Sequence, residues 1–344
     1  MEGAQSRLKL GIPKGSLQEA TFSLFKRAGF EFRMSSGRSY HPQVNDTELE
    51  PLLLRPQEIP HYVDRGILDA GLTGIDWIAS VAAGRVGAVR DAGNDSATIE
   101  PVRDALRSAL NREYVFTADS DRDTFVPIPR LNLAIAATLA YSKATANDIR
   151  IVLAAPNNSA ISSWQDLDGK VIATEYVDLT RAFLRLHGVT ARDVEFSWGA
   201  CEVKVPDLAD AIVVNTETGN SLRAHDLKIV DTLMVSRTCL AVNCAAAADD
   251  WKRRKIENLV MLLQGALNAE LLVGLKMNVA KRDLPALLEL LPALKNPTLS
   301  PLSNEEWVAL EIIIPEQTVR DLLPKMKRAG AEGIVEYPLN KVVY

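Results

Sequence analysis

Short apolar runs recur between Leu8 and Val214, and several of them lead through a small-residue turn into a helix-like stretch. LKLGI (8–12) opens into PKGSLQEATFSLFKRAGF. There Ser16 is the expected N-cap, Leu17, Thr21, Leu24 and Phe25 form the apolar positions, and Gly29 ends the helix. A strand at Leu52–Leu54 precedes IPHYVDRGILDAGLTG, which reads as helix, strand and turn. The rhythm resumes with IRIVLAAP (149–156), KVIATEY (170–176) and ADAIVV (209–214). This βαβ alternation predicts α/β architecture with ligands at the carboxyl ends of the strands.

Residues 82–136 break the rhythm. The segment is rich in Gly and Asp and holds one amphipathic stretch, with Ile99, Val102, Leu106 and Leu110 at helical spacing, before the polar run FTADSDRDTF. It reads as an excursion from the main sheet. From about residue 268 the order is β-α-β-β-α-β, through LLVGLKMNV, RDLPALLELLPAL, PTLSPL, WVALEIII, EQTVRDLLPKMKRAG and GIVEY. That order is the ferredoxin-like unit, which closes its own core and reads as a separate domain.

The chain has 344 residues, 47% hydrophobic and 24% charged, with a formal net charge of −5, which gives no bulk basic field for nucleic acid. Any phosphate must therefore meet local donors. The three cysteines, Cys201, Cys239 and Cys244, contain no CxxC pair, which argues against a disulfide framework or a zinc site. MEGAQSRLKLGIP carries no long apolar h-region and no stretch has membrane length, so a cytoplasmic protein without membrane partners is expected.

Three turns carry the chemistry. In VVNTETGNSL (213–222) a strand ends in Thr-Gly-Asn-Ser before a helix. Consecutive N–H groups, Gly219 for close approach, the Thr218 and Ser221 hydroxyls and a helix N-terminus could cradle an anion. An ordinary strand-to-helix corner has the same composition. IPKGSL (12–17) offers a Gly and a Lys, and LLLRPQEIPHYVDRGILDAGLTGIDW (52–77) offers Arg55 at a strand end with Gly71, Thr73 and Gly74 in a turn. Three such turns in one α/β chain converge on one cleft.

These stretches resemble the ATP phosphoribosyltransferases that open histidine biosynthesis, in the long form with a C-terminal regulatory domain. The resemblance rests on PKGSL, RPQEIPHYV with DAGLTGIDW, YSK with IRIVLAAP, DLDGKVIATEY, FSWGACEVK, LADAIVVNTETGNSLRAHDL and DDWKRRKIENL. It continues through LPALKNPTLSPLS, WVALEIIIPE and KRAGAEGIVEYPLNKVV.

The resemblance implies a two-lobed, periplasmic-binding-protein-like catalytic core (type IV phosphoribosyltransferase) and a C-terminal ferredoxin-like, ACT-like domain. Lobe I would comprise 1–81 and 236–266, lobe II 82–235 with an insertion at about 82–136, and the regulatory domain 268–344. The family joins ATP to phosphoribosyl pyrophosphate (PRPP), releasing pyrophosphate, with Mg²⁺. N1 of adenine carries no proton, so its attack on ribose C1 needs no general base, and catalysis is positioning plus electrostatic stabilisation.

By motif position, Thr216, Glu217, Thr218, Gly219, Asn220 and Ser221 would hold PRPP. Glu217 would orient the loop, touch ribose hydroxyls or stay solvated. Lys14, Gly15, Arg38, Arg55 and Gly74 would face the pyrophosphate and ATP groups. Asn278, Leu294, Asn296, Thr298 and Gly333 would contact histidine as inhibitor, acting on a dimer–hexamer equilibrium. The metal ligands stay unassigned. His41, His61, His187 and His225 are expected to be surface or structural. Trp77, Trp164, Trp198 and Trp307 are expected in the core or stacked on adenine.

Two features depart from the family. Val214 stands where the family has Asp or Glu to hold ribose hydroxyls, a loss of about 1.5–3 kcal/mol for a charged hydrogen bond. Val214→Glu is therefore expected to raise activity or lower the PRPP KM. The family also runs from DW to YSK in far fewer residues than the 82–136 segment. Two other readings remain at this point: a non-catalytic relative that binds nucleotide or histidine and regulates a partner, and a two-lobed small-molecule binding protein.

Overall fold

Leu10 of β1 (Leu8–Pro13) pairs in parallel with Pro51 of β4 (Leu49–Leu54) on one side and with Ala70 of β5 (Ala70–Gly74) on the other. β1 is apolar apart from the exposed Lys9, and Leu8, Leu10, Gly11, Ile12 and Pro13 are all buried. In this computed structural model, residues 6–34, 39–91, 99–111, 125–141, 148–291 and 297–344 are described. β13 (Thr238–Asn243) runs antiparallel to β5 and to β7 (Leu133–Leu139), and β6 (Val126–Pro127) closes the order β4-β1-β5-β13-β7-β6.

The second sheet has the order β10-β9-β11-β8-β12. Its strands β9 (Val171–Thr174), β10 (Asp193–Phe196) and β11 (Ala211–Thr216) are mutually parallel. β8 (Ile149–Pro156) is antiparallel to β11 and to β12 (Leu227–Ser236). The chain crosses back at Arg237, between β12 of the second sheet and β13 of the first. These two sheets are the two lobes of the expected core, and one apolar cluster, from Ile78 through Leu153 to Val213, includes residues of both.

The second lobe was expected from residue 82 and starts later. α3 runs on as a 17-residue helix, Ile75–Asp91, and α4 (Glu100–Asn111) buries Val102, Leu106 and Ala109 on its apolar face. β6 and β7 then join the first sheet, so the segment read as an excursion ends in two strands of lobe I. LAIAATL shows no alternation because nearly every position of β7 is buried, and its alanines give little β signal. FTADSDRDTF lies outside the described residues except for Phe125, which is buried.

Helix α1 (Gln18–Ala28) starts two residues after the expected cap at Ser16. The turn is made by Gly15 at φ +98, whose carbonyl accepts from Gln18 N–H at 3.1 Å. Its expected face holds: Thr21, Leu24 and Phe25 are buried. Gly29, at φ +104, ends it.

Residues 1–23 and 30–260 form one unit, and residues 24–29 with 261–344 form the other. The second unit contains β14 (Leu272–Ala280), α9 (Leu284–Leu290), β15 (Thr298–Pro301), β16 (Trp307–Pro315), α10 (Glu316–Arg328) and β17 (Glu332–Pro338). Its sheet order, β15-β16-β14-β17, is the ferredoxin-like arrangement expected from the order of elements. Leu275, Leu287, Leu310, Ile314 and Met326 fill its own core. Among the described residues no helix is long and apolar enough to cross a membrane.

Candidate functional site

The carboxyl ends of β1, β4 and β5 deliver Lys14, Arg55 and Gly74 to one edge of the first sheet. Lys14 Nζ lies 3.8 Å from the Tyr40 ring centroid, a cation–π contact, and its N–H donates to Leu54 O at 2.7 Å. Gly74 leaves no room for a side chain, because a Cβ there would collide with the Asp76 carboxylate. Arg38 lies outside the described residues.

The parallel strands of the second sheet end at a matching edge. β11 delivers the 216–221 loop, β9 delivers Glu175 and Tyr176, and β10 delivers Phe196 and Trp198. The edges meet, since the Arg55 guanidinium carbon sits 4.4 Å from the Trp198 ring centroid. Lys14, Arg55 and Gly74 thus share one strand edge, and the Thr-Gly loop stands at the carboxyl edge of the second sheet, whose Trp198 meets Arg55.

Gly219 takes φ +74, a left-handed conformation that side chains disfavour, and its N–H donates to Thr216 Oγ1 at 2.9 Å. Asn220 N–H donates to Thr218 Oγ1 at 3.4 Å, and Ser221 Oγ donates to Glu202 Oε1 at 2.7 Å. The helix that follows, α6 (Asn220–Ala224), has five residues, too short for the helix-terminus contribution expected from sequence. A cation takes that place: Arg223 Nη2 donates to Thr218 O at 3.0 Å and also to Asn220 Oδ1. Sequence reasoning missed Arg223 and Glu202. Arg223 follows the loop by two residues in TGNSLR, the only local signal for it.

Behind the cleft lies a buried polar bridge between the lobes. The Tyr176 hydroxyl donates to Asp76 Oδ2 at 2.8 Å and the Ser236 hydroxyl to Oδ1 at 2.5 Å. Asp76 N–H donates to Ser236 Oγ at 3.1 Å, and Trp77 stacks on Tyr176 with centroids 4.4 Å apart. Burial pushes the Asp76 carboxyl above the usual carboxylate range, and the hydrogen bonds from Ser236 and Tyr176 offset part of that shift. Burial, then the nearby Asp76, pushes the Tyr176 phenol up as well.

Val214 is 9% exposed and packs with Val152, Cys201, Leu222 and Leu227. Asn215, on the opposite face of β11, lies by the Tyr176 hydroxyl. The valine thus completes an apolar cluster beneath the loop, which gives it a packing role independent of any sugar. Cys201 and Cys239 are buried free thiols and Cys244 is half-buried, with burial raising the pKa of each.

The histidines are spread as expected. His41 and His61 are at the surface, His187 stacks on Trp164 at 4.9 Å, and His225 Nδ1 lies 2.9 Å from Ser221 O. Trp164 is in the core, donating to Asp231 Oδ2 at 2.6 Å, and Trp307 is half-buried at the start of β16. Trp198 is 62% exposed, unlike a core residue.

In the second unit Gly333 (φ +58) lies beside Asn278, where a Cβ would come 3.9 Å from Asn278 Nδ2. Thr298 is exposed on the edge strand β15, with β16 between it and β14. Leu294 and Asn296 lie outside the described residues.

Two α/β lobes, one ending in a Thr-Gly loop and the other in basic strand ends, followed by a ferredoxin-like unit, define a two-lobed α/β core with an appended small domain. The ATP phosphoribosyltransferase family model (HisG) matches residues 130–265, and the HisG C-terminal domain model matches 269–341. The ATP phosphoribosyltransferase of Chlorobium phaeobacteroides is 49% identical over 343 residues, covering 100% of both chains. That of Pelotomaculum thermopropionicum is 48% identical over 337 residues, covering 98% of this chain and 99% of its own. The chain belongs to the ATP phosphoribosyltransferase family. Its fold is also similar to a chain of the Thermotoga maritima ATP phosphoribosyl transferase (HisG:HisZ) complex, at TM-score 0.51 and 23% identity, covering 76% of this chain and 98% of that one.

Proposed function

We propose that the cleft between the two strand edges transfers phosphoribosyl from PRPP to N1 of ATP. The observation that carries this reading is the Arg55–Trp198 contact, which sets the basic edge of one lobe against the edge that bears the Thr-Gly loop. The N1 lone pair forms the new bond to ribose C1 as the C1–O bond breaks, and its electron pair leaves with pyrophosphate. No proton moves in this step, so it asks for no nucleophile–base pair. The 216–221 loop would hold the 5′-phosphate, Arg223 would swing from Thr218 O to the incoming oxygens, and Lys14 and Arg55 would meet the negative charge that develops on the leaving group.

Among the described residues no group of three His, Cys, Asp or Glu side chains is placed to hold a metal ion. Mg²⁺ carried by the substrates' phosphate oxygens would supply charge neutralisation for the departing pyrophosphate. The protein's share is the positioning described above.

The Asn278–Gly333 pair supports a histidine-sensing role for the second unit, as a homo-oligomer whose assembly responds to the ligand. Purified protein given ATP, PRPP, Mg²⁺ and a pyrophosphatase is expected to show the rising absorbance of phosphoribosyl-ATP, and to lose it on chelation. Absence of product at high enzyme concentration would overturn the reading. Histidine is expected to inhibit, with Asn278→Ala and Thr298→Ala less sensitive than the parent; full sensitivity in both would remove the effector assignment.

A further inference from the structure

We propose that the cavity at the hinge between the two lobes is a second ligand site, which takes a small amphipathic carboxylate and slows turnover when filled. Its volume is about 410 Å³, within the size class of small-molecule sites. Lobe I supplies Ala79 of α3 and the face of α4 that carries Val102 and Leu106. Lobe II supplies Leu179 and Phe183 of α5 (Val177–Leu186) and Met234 of β12. Lys14, Arg55 and the 216–221 loop do not line it, so it is separate from the cleft. α4 belongs to the 82–136 segment, to which the transfer reading gives no task.

The cavity sits where the chain passes between the sheets. Asp148 ends the passage from β7 to β8, Arg237 makes the return from β12 to β13, and both line the cavity. Arg237 Nη2 donates to Asp148 Oδ2 at 2.8 Å, and its Nε donates to Oδ1. Its Nη1 donates to Leu110 O at 3.2 Å, which ties the end of α4 to the crossing. The β12 wall is irregular as well. Its register against β8 shifts between Ile229 and Asp231 and again between Thr232 and Met234. Bulges re-aim side chains, and here the successive residues Thr232, Leu233, Met234 and Val235 all line the cavity.

Charge complementarity names the occupant. The apolar walls accept a hydrocarbon body, and the cations among the lining residues select its head group. The Arg103 guanidinium carbon lies 5.2 Å from the Phe183 ring centroid and has no ion-pair partner among the described residues. Arg107, one turn later, lies 3.9 Å from Asp104 in an exposed pair of little strength. Asp148 is the one carboxylate among the described lining residues, and Arg237 neutralises it. Positive charge is therefore in excess. A carboxylate can take the Arg103 fork in bidentate geometry while its chain displaces water from Leu106, Leu179 and Met234. Such a ligand touches both lobes and resists the hinge motion that admits substrates and releases products.

Decanoate, decan-1-ol and decylamine share one chain and differ in head-group charge, so they are the probes. Calorimetry on the full chain is expected to show decanoate binding at least about tenfold more tightly than either of the others. Arg103→Gln should weaken decanoate about tenfold with a parent-like thermal midpoint, and Arg103→Lys should keep most of the affinity. Met234→Trp, which fills the cavity with a ring, should abolish binding. In the transfer assay decanoate should lower kcat about threefold, with the KM values for ATP and PRPP unchanged. Equal binding of the three probes, or parent-like decanoate affinity in Arg103→Gln, would overturn the site. Binding without a change in kcat, or a rise in KM alone, would overturn its action through the hinge. The calorimetric arm needs no product, so failure of the site and failure of the transfer reading are told apart.

Discussion

The Tyr176 hydroxyl donates to Asp76 Oδ2 at 2.8 Å across 100 residues of sequence, joining the end of β9 in one lobe to the first turn of α3 in the other. Tyr176 is 1% exposed and Asp76 is 4% exposed, so water cannot replace the bond. Tyr176→Phe keeps the ring that stacks on Trp77 and removes only the donor. We expect it to lose about 1–3 kcal/mol in urea unfolding. Because the bridge holds the lobes in register, the KM for a substrate spanning both should rise more than kcat falls. An unfolding midpoint equal to the parent's would show that the bridge contributes nothing.

The same carboxyl predicts a pH effect. Burial raises the Asp76 pKa in the folded state, so the folded chain keeps this proton where the unfolded chain has released it. That contribution is full below the unfolded pKa and is lost as pH rises through the folded value. Asp76→Asn does not titrate there. The stability of Asp76→Asn relative to the parent should therefore increase as pH rises above the usual carboxylate range in thermal melts. Parallel curves for the two proteins would contradict it.

Gly219→Ala tests the loop. The alanine would sit at φ +74 with its Cβ 3.0 Å from Arg223 Nη1, so both the backbone and the guanidinium must give. A loss of about 1–2 kcal/mol in stability is expected, since left-handed backbone disfavours a Cβ by that amount. If the loop holds the 5′-phosphate, the KM for PRPP should rise while the KM for ATP changes little. Equal changes in both would place the phosphate elsewhere.

Val214→Glu, expected from sequence to help, is predicted from the structure to harm. The side chain would enter a cluster of Val152, Cys201, Leu222 and Leu227, where a carboxylate would be set among apolar side chains. Destabilisation by about 2 kcal/mol or more and no gain in kcat/KM for PRPP are expected. A higher kcat/KM in the variant would show instead that the sugar reaches this face of β11.

Much of the fold was legible because its signals are local. Period, turn chemistry and Gly positions marked β1, β9, β11 and the whole β-α-β-β-α-β unit, and the face of α1 followed from spacing. β7 was not legible. Its alanines carry no strand preference, and alternation vanishes when both faces of a strand between two sheet neighbours are buried. The same holds for α6, whose Leu-Arg-Ala run suits a longer helix but stops at His225, where the chain turns into β12.

The Thr-Gly loop, the Lys and Arg at strand ends and the family itself were determined by the sequence alone, since each is a matter of residue types in a short, ordered stretch. Only the tertiary structure decided which strand ends face each other. Arg55 meets Trp198, Tyr176 meets Asp76, and Val214 turns to an apolar cluster instead of toward solvent. Those outcomes depend on sheet order and on the pleat of β11, which pair residues far apart in the chain and leave no trace in local spacing.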